Sequence, residues 1–131
     1  MITMRTLLLS LLFFVFLLPH AHAQPKPPAA PSPPQSGVGY ATVAAALAAL
    51  QKKPGAQVEV KEGWTIVTEE AIQTIWSFTP KVHPAYPAVV KRAAVQDGHS
   101  VYVDMQILCE GAKPACDKLA EDFQKLNSNV R

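Results

Sequence analysis

Three kinds of hydrophobic patterning succeed one another along the chain. Residues 7–18 are apolar except for Ser10, a run of 12 residues where a helix crossing a bilayer needs roughly 20. Residues 42–53 place Val43, Leu47 and Leu50 at helical spacing with alanines between them, and Lys52-Lys53-Pro54-Gly55 supplies a stop. From there the period changes to two. Residues 57–61 and 64–68 read as short strands around Glu62-Gly63, and residues 72–78 put Ile72, Thr74, Trp76 and Phe78 on one strand face, with Trp76 and Phe78 expected in the core. Residues 79–87 contain three prolines and must form a loop.

The strongest pattern follows. Residues 88–96 and 99–109 flank Asp97-Gly98, a dipeptide suited to the positive backbone angles of a tight hairpin. On the second strand Val101, Val103, Met105, Ile107 and Cys109 alternate with Tyr102, Asp104 and Gln106, predicting one buried and one wet face. A two-residue loop would set Lys91 opposite Asp104 and turn Arg92 toward the core face. A three-residue loop with a bulge at Gly98 would set Arg92 opposite Asp104 and turn Lys91 inward. The bulged register is preferred, because Val89 and Val95 then join the apolar face. In both, one cation lies on the less polar face and needs a partner or an exit to solvent. Residues 114–127 close the pattern as a helix with Cys116, Leu119, Ala120, Phe123 and Leu126 on its apolar stripe and Glu121–Lys125 as an outer pair. This order predicts an α+β fold: an antiparallel sheet of four to five strands with an N-terminal and a C-terminal helix packed on one face.

Composition and charge then set the context. Arg5 before the apolar run, Pro19 after it and Ala21-His22-Ala23 together read as a secretory signal peptide over residues 1–23, cut after Ala23. The expected location is periplasmic or secreted, with no transmembrane segment after cleavage. No cysteine stands near the cut, which excludes a lipid anchor there. Residues 24–36 hold six prolines and read as an extended spacer, leaving residues 37–131 as a single α+β domain. That domain has 10 basic and 10 acidic residues. It lacks the basic surplus for binding phosphate chains, so nucleic acid is not expected as a partner.

Candidate chemistry is sparse. Cys109 and Cys116 are the only cysteines, and in an oxidising compartment they read as a structural disulfide, since their spacing is not the C-x-x-C of redox sites. His83 and His99 remain after the signal; His99 belongs to the turn, and His83 stands in the proline-rich loop. No nucleophile elbow, zinc-binding helix or glycine-rich phosphate loop is present, and no cofactor, metal or catalytic residue is expected. The segment 76–92 stands out, because prolines frame His83 and Tyr86 beside Lys91 and Arg92. A preorganised loop carrying aromatic and cationic anchors can present a recognition surface.

Trp76-Ser77-Phe78-Thr79-Pro80, His83-Pro84-Ala85-Tyr86-Pro87 followed by Ala88-Val89-Val90-Lys91-Arg92, and the strand-to-helix pair Cys109 and Cys116 resemble small exported bacterial proteins of uncharacterised function. The resemblance spans about residues 40–127. It implies an envelope or secreted location, carries no activity and transfers no functional residue. The expectation is a non-enzymatic domain that binds an envelope protein or polymer through residues 80–92, using His83, Tyr86, Lys91 and Arg92. The alternative is an accessory envelope enzyme or enzyme inhibitor.

Overall fold

A computed structural model of the chain describes residues 37–129. The signal-peptide and spacer readings, over residues 1–36, lie outside the described residues. Helix α1 (Val43–Gln51) starts at Thr42, whose hydroxyl accepts the Ala45 N–H at 3.1 Å, satisfying one of the donors left free at a helix start. Strands β1 (Gln57–Lys61) and β2 (Trp64–Glu69) are joined by Glu62 and Gly63, both at positive φ (51° and 83°). That is the requirement of a two-residue mirror-image hairpin turn.

Strand β3 spans Thr74–Phe78, shorter than the sequence pattern implies. Residues Glu70–Ile72 form a 3₁₀ turn, and Gln73 adopts a left-handed conformation (φ 48°, ψ 45°) that breaks the period-two run. Ile72 is therefore off the strand face and 56% exposed, while Thr74, Trp76 and Phe78 are buried together. Strands β4 (Ala88–Asp97) and β5 (Ser100–Cys109) and helix α2 (Lys113–Ser128) complete the fold. The sheet is antiparallel throughout, in the order β1-β2-β3-β4-β5. On α2 the i, i+4 pairs Lys113–Asp117, Lys118–Asp122 and Glu121–Lys125 lie along its solvent side.

The hairpin takes neither expected register. Asp97 pairs with Ser100 and Ala93 with Asp104, so the loop is Gly98-His99. Gly98 has φ 58° and His99 is not at positive φ; glycine alone in the first central position is the pattern of a type II′ turn. The glycine thus acts one position earlier in the turn than an Asp-Gly turn would place it.

The two helices cover opposite faces of the sheet, which corrects the expectation of one-sided packing. Val67, Trp76, Phe78 and Val89 join Val43, Ala46 and Leu50 of α1 in one buried cluster, with Val38. Ala88 and Val90, of the other parity on β4, join Leu119 of α2 and Ala85, with Trp64, Met105, Ile107 and Phe123 packed around them. The unbroken buried run Ala88-Val89-Val90 is what a strand covered on both sides requires.

An ion pair links the turn that follows α1 to the sheet. The Glu69 carboxylate, buried at the end of β2, receives Lys53 Nζ at 2.8 and 3.1 Å. Lys53→Met is expected to lower stability by about 1–2 kcal/mol, because it strands a buried carboxylate while the lysine end is half exposed. Urea denaturation of this variant beside Lys53→Arg measures it, and Arg should retain most of the stability. The hydrogen bond to Glu69 raises the Lys53 pKa above the ordinary lysine value. Its contribution is therefore complete below the pKa of an unfolded lysine and is lost as pH rises through the folded value.

Candidate functional site

Residues 79–87 cross one end of the sheet and are fastened along their length. Thr79 N–H donates to Ala88 O at 3.0 Å, and the Thr79 hydroxyl accepts the Ala88 N–H at 3.0 Å. His83 N–H reaches Pro80 O and Tyr86 N–H reaches His83 O, both at 2.9 Å. Ala85 is fully buried, and a Cβ on Gly111 would lie 2.6 Å from its carbonyl oxygen. Only glycine lets the β5–α2 connection approach the loop that closely. Glu110 N–H completes the fastening by donating to Pro87 O at 2.9 Å.

His83 is part of this framework. Its Nδ1 accepts the Ala85 N–H at 3.1 Å, and its ring stands edge-on to Trp64 with centroids 5.3 Å apart. A ring nitrogen occupied by the backbone is not poised to take a proton from a substrate. Among the described residues, no group of three or more His, Cys, Asp and Glu side chains is placed to hold a metal ion.

Lys91 and Arg92 are neighbours on β4 and so point to opposite faces. Lys91 pairs with Trp76 across β3, its Nζ 5.2 Å from the indole centroid. Arg92 lies on the α2 side, its guanidinium 5.3 Å from the Phe123 ring and Nη1 3.5 Å from Asn127 Oδ1. Burial pushes the Arg92 pKa down, and Nε is buried without a hydrogen-bond partner. Both cations rest on aromatic rings, an arrangement that offsets part of their desolvation. The four candidate binding residues are thus not assembled into one site: Tyr86 and His83 stay with the loop, and the two cations diverge.

Tyr86, 42% exposed, borders a groove of about 400 Å³ between the loop and α1. Val43 and Phe78 are buried beneath it, with Leu47 beside them, while Lys81 and Glu110 are exposed at its margin. The Glu110 carboxylate also takes the Val43 N–H, at 3.4 Å, at the start of α1. The sequence reading missed Val43, Leu47, Lys81 and Glu110 as lining residues. Lys81 and Glu110 were findable as charges flanking the proline frame and the cysteine, whereas the contribution of α1 depends on tertiary packing. A wider hollow of about 550 Å³ lies over Thr68, Ile75, Ala94 and Val101, and Glu70 is the one charged residue lining it.

Cys109 and Cys116 are disulfide-bonded, joining the end of β5 to the first turns of α2. No helix among the described residues is long and apolar enough to cross a membrane. Comparison of the chain with protein-family models, curated proteins and solved structures gives no match.

Proposed function

We propose that this chain is a small exported, non-enzymatic domain that binds a partner protein in the groove beside Tyr86. The observation that carries this reading is an exposed tyrosine on a fastened loop, next to an apolar groove with Lys81 and Glu110 at its margin. A rigid aromatic anchor loses little conformational entropy on binding, and tyrosine is enriched among residues that dominate interfaces. The apolar floor of Val43, Leu47 and Phe78 suits an apolar side chain of a peptide segment better than a hydroxylated polymer. Lys81 and Glu110 can each meet an opposite charge flanking that side chain. The Cys109–Cys116 bond supports export, since such bonds persist in oxidising compartments. Compared with the sequence expectation, the surface keeps the loop and drops Lys91 and Arg92.

Selection of peptides from a displayed random library on the purified protein tests this reading. Selected peptides should bind Tyr86→Ala about tenfold or more weakly, as expected for a hot-spot residue, and bind Arg92→Gln, altered on the opposite face, as they bind wild type. Peptides indifferent to Tyr86→Ala, or recovery of none, would reject the groove as a protein-binding site.

A further inference from the structure

The two edges of the sheet are unlike. Strand β1 has five residues and carries Glu59 and Lys61, and shortness and charge are the devices that keep an edge from pairing with another strand. Strand β5 has ten residues, no proline, and Asp104 as its one charged side chain. Ladder parity determines which of its backbone groups face outward. Glu110 N–H donates to Pro87 O, which makes this a hydrogen-bonded pair, and the same register continues down the hairpin. Hydrogen-bonded and non-hydrogen-bonded pairs alternate in an antiparallel ladder. Residues 100, 102, 104, 106 and 108 therefore bond to β4, and Val101, Val103, Met105 and Ile107 direct their N–H and C=O groups away from the sheet. Among the described residues no backbone hydrogen bond outside the sheet ladder reaches these four. At the start of this edge Val101 is 69% and Tyr102 51% exposed.

We propose that β5 pairs antiparallel with β5 of a second copy of this chain about a two-fold axis, joining the two sheets into one. A strand edge related to itself by a two-fold is self-complementary, because every outward donor meets an outward acceptor. Charge selects the register. An axis through Asp104 would face two carboxylates across the ladder, which is unfavourable. An axis through Met105 would set Tyr102 against Leu108, a residue already packed on the α1 side of the core. An axis through Val103 sets Val101 against Met105 and Tyr102 against Asp104, twice. The Tyr102–Asp104 positions are then non-hydrogen-bonded pairs, where side chains approach most closely and the tyrosine hydroxyl can meet the carboxylate. This register covers both Val101 and Tyr102.

Sedimentation equilibrium on the purified protein should give twice the monomer mass. A half-filtered NOE experiment on mixed labelled and unlabelled protein should then show a contact between Tyr102 Hα of one copy and Asp104 Hα of the other. Val103→Pro deletes an outward donor and no internal ladder bond, so it should weaken dimerisation about tenfold or more with the circular dichroism spectrum retained. Val101→Lys provides a second variant whose altered side chain is already exposed, and it should weaken the dimer likewise. A monomer at NMR concentrations, a dimer unaffected by both variants, or intermolecular contacts centred on Met105 would each overturn the proposal.

Discussion

Trp76→Ala is expected to lower the free energy of unfolding by about 3–5 kcal/mol, the range for truncating a buried aromatic residue. Trp76 is 4% exposed on the central strand, between Val67 of β2 and Lys91 of β4. Tyr40 packs edge-on against it with centroids 5.8 Å apart. Its removal would leave a cavity within the cluster that holds α1 to the sheet, and α1 has few large side chains with which to fill it. Trp76→Phe should cost much less. The indole Nε1 is buried with no hydrogen-bond partner, so phenylalanine also removes an unsatisfied donor and recovers part of what the lost ring costs. Urea denaturation of both variants measures the difference. A double-mutant cycle with Lys91→Met should return a coupling of about 0.5–1 kcal/mol for the cation resting on the ring. A Trp76→Ala cost below that of Trp76→Phe would contradict this account of the core.

The elements that depend on local chemistry were legible in the sequence. Helical spacing marked α1 and α2, the prolines marked the loop, and the period-two run marked Thr74, Trp76 and Phe78 as a buried face. Three features escaped for identifiable reasons. Gln73 takes a left-handed conformation with no glycine to announce it, so the run appeared to begin at Ile72. Asp97-Gly98 and Gly98-His99 both supply a glycine to a tight turn, and strand pairing on either side decides between them. The placement of α1 and α2 on opposite faces was written in Ala88-Val89-Val90 and in Leu108, which packs with the α1 cluster although it sits in the polar phase of the β5 alternation. The alternation on β5 suggested a wet face because Asp104 and Gln106 share that phase. For the candidate site, proximity in sequence misled: Lys91 and Arg92 follow the loop directly yet leave it in opposite directions. Val43 and Leu47 reach the groove only through the packing of α1.

Replacing both Cys109 and Cys116 by Ala is expected to lower stability by about 2.5 kcal/mol, the chain-entropy estimate for a ring of eight residues. For a domain of this size that corresponds to a fall in Tm of about 10–20 °C. The bond has structural leverage beyond the loop it closes. The N-cap of α2, Ala112, offers no side-chain acceptor to the first turn, so α2 begins without the stabilisation that Thr42 gives α1. Cys109 Sγ also lies 3.5 Å from Ala85 O, and Gly111 is pressed against the same residue. Losing the bond should therefore loosen the loop under Tyr86 as well as the start of α2. Hydrogen exchange would detect this as faster exchange of the Ala85 and Tyr86 amides in the double variant, with the amides of β2 and β3 quickened only through the global loss of stability. Reductant should bring wild type to the same Tm as the variant and leave the variant unmoved. If reduction leaves the wild-type Tm unchanged, the bond carries none of the stability assigned to it. If Tyr86 exchanges no faster, the loop owes its order to the hydrogen bonds of Thr79, His83 and Glu110 alone.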